Sequence, residues 1–105
     1  MKRKTTISHD AAVVEELRDD PDFAVEYLKA AMEDQEEPRV LLIALRRIAE
    51  ANGGIAHVAR LAGVERESLH RALSGRGNPR FSTLAAVAKA VGLRLTVEAV
   101  GTSEK

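Results

Sequence analysis

Apolar residues recur at three- and four-residue intervals through most of this chain and switch to a two-residue interval only near its end. The first spacing marks one face of an α-helix, the second a half-buried strand. Residues 1–7 show neither and read as a disordered tail. Val13, Val14 and Leu17 give a narrow apolar face to a short helix over 9–18, with Ser8 placed to cap it. Asp20-Pro21 is a helix start: Asp is the N-cap, and Pro takes the first helical position, where its missing N–H costs nothing. The helix it opens, 21–33, lines up Phe23, Tyr27, Leu28, Ala31 and Met32 on one side and turns Asp22, Glu26, Lys29 and Glu33 away. A polar linker over 34–37 follows, and Pro38 opens a third helix over 38–52. That helix carries Leu41, Leu45 and Ile48 on one stripe with Val40, Ala44 and Ala51 beside it. Arg39, Arg46, Arg47 and Glu50 fall on or near its solvent side. Asn52-Gly53-Gly54 ends it, because each glycine disfavours helix by roughly 1 kcal/mol relative to alanine.

The next stretch, IAHVARLAGVERESLHRAL over 55–73, organises the rest. It reads as a helix, a tight turn and a second helix over 66–73. In the helix-turn-helix this form places the second helix in a DNA major groove. Ala59 is small where the helices must cross closely, and Gly63 falls where a left-handed C-cap needs no Cβ. Val58, Val64 and Leu69 are spaced to pin the pair. A turn-rich loop over 74–79 separates it from a last helix over 83–91, capped by Ser82, faced by Leu84, Val87, Ala88 and Val91 and stopped by Gly92. Beyond it Leu93, Leu95, Val97 and Ala99 alternate with Arg94, Thr96, Glu98 and Val100, a strand over 93–100. No second strand is visible, so the simplest partner for its backbone is the same strand of a second copy. The fold class is therefore all-α, a domain of five to six helices with a helix-turn-helix and one C-terminal β-strand paired across a dimer. The segments are the tail 1–7, an acidic helical part 8–37, a DNA-binding part 38–92 and a dimerisation strand 93–100.

Composition sharpens this. With 105 residues and 45% apolar content, almost none of it aromatic, the chain builds one aliphatic core. It has no cysteine, hence neither disulfide nor thiolate metal site, as suits a reducing cytoplasm. The longest apolar run, 40–45, is far short of a membrane span, and the basic start MKRKTTISHD lacks the apolar segment of a signal peptide. The zero net charge divides unevenly: residues 1–38 carry −6 and residues 39–105 carry +6. Such asymmetry suggests two surfaces with different partners.

In the second helix of the pair, Leu69, Ala72 and Leu73 turn inward and leave Arg66, Glu67, Ser68, His70 and Arg71 outside. Arg66 and Arg71 can each reach a guanine edge with two hydrogen bonds, a contact worth about 1–3 kcal/mol of discrimination. Glu67 can accept from cytosine N4 or simply answer the helix dipole. His70 suits the surface or a phosphate. Arg60, Arg76, Asn78 and Arg80 are candidates for phosphate contact, with Gly75 and Gly77 letting their loop approach the sugar-phosphate chain. His9, His57 and His70 are not spaced as metal ligands and no phosphate loop follows a strand, so neither enzyme chemistry nor a cofactor is expected.

The strings FSTLAAVAKAVGLRL and, before it, LHRALSGRGNP resemble the antidote (antitoxin) proteins of bacterial addiction modules, in the branch with a Cro/C1-type helix-turn-helix. EYLKAAMED and VLLIALRRIAEANGGIAHVAR resemble the same family, so the likeness runs from Asp20 to Val97. It implies a dimeric repressor of its own operon, bound to a small toxin of RelE/ParE-like fold that it neutralises. One position departs. Where Cro/C1-type domains often cap the second helix with Ser or Thr, this chain has Glu65, which caps poorly and repels phosphate. The partners expected are operator DNA, a small basic toxin and a second copy of the chain, with no membrane. The toxin would meet the acidic Asp22, Glu26 and Glu33, and Leu93, Leu95 and Val97 would join two protomers. A stand-alone phage-type or metabolic regulator and a protein-only interaction module remain as alternatives. A small basic reading frame beside this gene distinguishes the first reading from them.

Overall fold

A computed structural model describes residues 9–33, 37–97 and 99. Among them are six helices: α1 (His9–Asp19), α2 (Pro21–Met32), α3 (Pro38–Ala51), α4 (Ile55–Ala62), α5 (Arg66–Ala72) and α6 (Phe81–Ala90). Ser8, the expected cap of α1, lies outside the described residues, as do the tail 1–7 and most of the linker. α1 buries Val13 and Leu17, one turn apart. α2 begins as its sequence dictates: the Asp20 carboxylate accepts the Asp22 N–H at 3.2 Å, with Pro21 behind it. That cap is worth about 1 kcal/mol.

α3 is the central element, packed against α1 and α2 and also touching α4 and α6. Contact from both sides explains a buried face wider than the expected stripe. Leu42, Ala44, Leu45, Ile48 and Ala49 are all buried, whereas Leu41 is only half-buried. The same two-sided packing corrects the placing of Arg46 and Arg47, whose side chains retain 28% and 19% exposure beneath α1. Alanines at 24, 31, 44, 49, 59 and 88 are buried where helices meet, which lets their axes come close. On α2 the core takes Ala24, Leu28 and Ala31. Met32, expected inside, is 49% exposed because the helix ends there, past the elements that cover its earlier turns.

The last helix begins two residues before the expected 83. Arg80 has extended backbone (ψ 156°) and is the N-cap, and its carbonyl accepts the Thr83 and Leu84 N–H groups. Ser82 therefore sits inside the first turn and does not cap it. At the other end Leu93 N–H bonds Ala88 O at 2.8 Å and Gly92 N–H bonds Lys89 O at 3.0 Å, the paired bonds of a Schellman ending. Beyond Leu93 the described residues form no strand, and the expected one over 93–100 has no ladder among them. The reason is physical: a strand exists by its pairing, and six helices offer it no partner edge. Glu98 and Val100, the rest of that expected strand, lie outside the described residues. No described helix is long and apolar enough to cross a membrane.

Candidate nucleic-acid interface

α4 and α5 meet through fully buried Val58, Ala59 and Leu69, with Leu73 buried behind them and Val64 half-buried in the turn. Gly63 makes the turn possible. Its φ of +73° is left-handed, and the next N–H, of Val64, reaches back to Ala59 O at 2.9 Å. Glu65 is the N-cap of α5 and makes no side-chain bond to the helix's N–H groups. Its carboxylate instead accepts the Ser68 hydroxyl at 3.2 Å, which ties down a charge that the helix dipole already favours. The expectation of a poorly capped helix start holds, and the Ser68 hydroxyl faces Glu65 across the first turn.

The outward face carries Arg66, Glu67, His70 and Arg71, all exposed, with Ser68 half-buried. Neither Arg66 nor Arg71 has an ion pair among the described residues, so both guanidinium forks are open to an outside acceptor. Arg60, exposed on α4, donates from Nη2 to His57 Nδ1 at 3.1 Å, which fixes its guanidinium one turn back along its own helix. The loop after α5 is held from within. Arg76 N–H bonds Ser74 Oγ at 3.3 Å, and Gly75 lies over the Ile43 side chain of α3. A Cβ on Gly77 would stand 2.1 Å from Ala72 O. That residue is glycine because the loop lies on the last turn of α5; the sequence expectation had assigned its freedom to DNA. Arg76, Asn78 and Arg80 are exposed on the loop that Gly77 seats on the last turn of α5.

Periodicity missed Phe81. It is 70% exposed at the first position of α6, beside Arg80, although it is in phase with the inward Leu84 and Ala88. At a helix's first turn, phase alone does not guarantee a covering neighbour.

The acidic candidates sit elsewhere. Asp22 and Glu26 on α2 and Glu33, its C-cap, are exposed along one side with Lys29 among them, and Val25 and Met32 form a partly exposed apolar edge beside them. Sequence reasoning missed the cluster behind α2. Arg47 donates to the Tyr27 hydroxyl at 2.8 Å and pairs with Asp10, which Arg46 also reaches at 3.8 Å. Burial pulls the Arg47 pKa down, while the Tyr27 and Asp10 oxygens push it up and leave it above its ordinary value. Residues 10, 27 and 47 are too far apart in sequence for any local spacing to reveal them. Among the described residues no group of His, Asp or Glu gathers as a metal site.

A sequence model of a family described as probable addiction module antidote proteins matches residues 7–99. An uncharacterized protein of Haemophilus influenzae is 38% identical over 89 residues, which is 85% of this chain and 89% of that protein. No solved structure matches. Spanning nearly all the described helices, these likenesses place the chain in the family of probable addiction module antidote proteins.

Proposed function

We propose that this antidote-family chain is the antitoxin of a bacterial type II toxin–antitoxin module. Its partner is a small basic toxin of RelE/ParE-like fold, and it acts in the cytoplasm. It also represses the module's operon, as a homodimer whose α4–α5 pair is a Cro/C1-type helix-turn-helix. The observation that carries the DNA reading is the pair of exposed guanidinium groups of Arg66 and Arg71 on the outer face of α5, neither ion-paired among the described residues. On such a helix the side chains of the outward face, from its N-terminus on, meet base edges, and the following loop meets phosphates. The docked loop with Arg76, Asn78 and Arg80 fits the second role.

Charge favours the other half as the toxin's docking surface. A toxin that acts on RNA needs a cationic surface, and complementary charge raises association rate and narrows partner choice. The α2 face with Asp22, Glu26 and Glu33 meets that requirement while the basic half stays free for DNA. The test has two arms. Expressing the neighbouring small reading frame should arrest growth, and this chain should relieve the arrest. Purified chain should bind a fragment of its own promoter more tightly than an unrelated fragment at the same salt. Growth arrest that persists with the chain present rejects the antitoxin role, and equal binding to both fragments rejects the operator.

A further inference from the structure

Of the three aromatic residues in the chain, Phe23 and Tyr27 pack against the core, and Phe81 faces outward. Phe81 is 70% exposed at the first position of α6, between exposed Arg80 and exposed Ser82. A phenyl ring held in water offers a partner more apolar surface than any neighbouring side chain can.

The charge around the ring narrows the choice of partner. From Ser68 to Val97 the sequence holds Arg71, Arg76, Arg80, Lys89 and Arg94, and neither Asp nor Glu. α6 packs on α4 and more lightly on α3. α4 has no carboxylate, and Glu50, the one carboxylate of α3, lines a cleft toward α1. A basic protein is a poor match for such surroundings. A polyanion that also presents apolar surface fits them, and duplex DNA does so through its phosphates and the carbon faces of deoxyribose.

Position decides between sugar and base. Gly77 rests on the last turn of α5, at the Ala72 carbonyl. Phe81 is four residues further on, so its Cα stays within about 14 Å of Gly77 even if the chain between is fully extended. The ring therefore belongs to the end of the domain that carries Arg76 and Arg80. A major groove admits one helix, and in the reading above α5 takes that place. The residue directly after Arg80 then falls on the backbone strand that Arg80 meets.

We propose that Phe81 is a backbone contact in the DNA complex, its ring packed on the deoxyribose next to the phosphate that Arg80 binds. The inference rests on the operator-binding reading above and adds an apolar anchor to it. An uncharged ring displaces no counterions, so its share of the affinity is independent of salt, unlike that of the arginines around it. Deoxyribose is common to every nucleotide, so that share is independent of sequence as well.

The chain contains no tryptophan, so Phe81→Trp in the full-length protein places a single indole at the site. Its emission should change when the promoter duplex is added. Phe81→Ala should weaken binding to promoter and unrelated duplexes alike by about tenfold, the scale of burying most of an exposed apolar side chain. The salt slope should remain that of the original chain, and Tm should hold because the ring is exposed. Affinities for both duplexes unchanged by Phe81→Ala overturn the proposal. A loss confined to the promoter assigns the ring to a base, and a flattened salt slope assigns it to the placing of Arg80; either result overturns the sugar contact. Indole emission that responds to chain concentration without DNA, or to the toxin, shows a protein covering the ring and overturns it too. An original chain that binds neither duplex removes the DNA reading itself.

Discussion

Gly77 lies against the backbone carbonyl of Ala72 so closely that a Cβ there would stand 2.1 Å from the oxygen. The obstacle is main chain, so it cannot swing aside as a flexible side chain would. Gly77→Ala must therefore lift the loop from the end of α5. An overpacked contact of this kind costs about 1–3 kcal/mol. Thermal unfolding should show a lower Tm, and DNA affinity should fall for all sequences alike because Arg76 and Arg80 lose their placement. Unchanged values of both would mean that the loop is not held where the contact puts it.

Arg71 and Arg76 should separate when each is removed. Arg71→Ala on the outer face of α5 should cost about 1–3 kcal/mol at the cognate site and relax preference at one base position. Arg76→Ala should weaken every sequence equally and reduce the salt slope by about one ion, the signature of a phosphate contact. Neither side chain is buried, so neither variant should lower Tm. Operator binding unchanged by Arg71→Ala, measured in a titration at fixed salt, removes α5 from base recognition.

Local signals in the chain were sufficient for the helices and their ends. Asp20-Pro21 and Gly63 act on their own neighbours, and the structure uses each in the expected role. Ser82 failed as a cap because backbone conformation decides capping: Arg80 is extended and Phe81 is already helical. Arg46 and Arg47 illustrate a different limit. Their place on the helix is readable, yet whether a flank meets solvent depends on α1 folding over it, and nothing near residue 46 encodes that. Of the candidate interface, the exposure of Arg66 and Arg71 followed from helical phase, whereas the reason for Gly77 required the contact itself.

Asp10 is the carboxylate that answers both arginines, and each retains a buried Nε with no hydrogen-bond partner among the described residues. Removing it leaves Arg47 with the Tyr27 hydroxyl and Arg46 with no ion-pair partner among the described residues. Asp10 is about half exposed, which screens the pair, so Asp10→Ala should cost less than breaking a buried bridge, about 1–3 kcal/mol. The raised pKa of Arg47 adds stability that is present below its unfolded value and is lost only on passing the higher folded value. That window is strongly alkaline, so stability near neutral pH should not vary on its account. Denaturant unfolding of Asp10→Ala and Arg47→Met measures the clamp. A loss in Asp10→Ala that persists in full when Arg46 and Arg47 are also replaced would assign the effect to α1 itself.

The C-terminal stretch predicts a separable loss. Deleting residues 94–105 removes no fully buried side chain among the described residues, so the helical domain should keep its circular dichroism. Light scattering should report a monomer. Operator affinity should drop steeply, because two half-sites would no longer be held by one particle. A truncated chain that stays dimeric would refer the interface to the helices.

Asp22 and Glu26 on α2 and its C-cap Glu33 form an exposed acidic face, and Val25 and Met32 lie along its edge. Rim charges mainly set how fast partners meet, whereas buried apolar contacts set how slowly they part. The two classes should therefore act on different rate constants. Replacing Asp22, Glu26 and Glu33 by Lys should slow toxin association and flatten its dependence on salt. Replacing Val25 and Met32 by Ser should instead speed dissociation with association little changed. Both sets leave α4, α5 and the following loop untouched, so operator binding should stay within about twofold, a difference under about 0.5 kcal/mol. Surface-immobilised toxin reads both rates in one measurement. If the charge-reversed chain associates as fast as the original at low salt, the toxin docks elsewhere and the acidic face of α2 is only solvated surface.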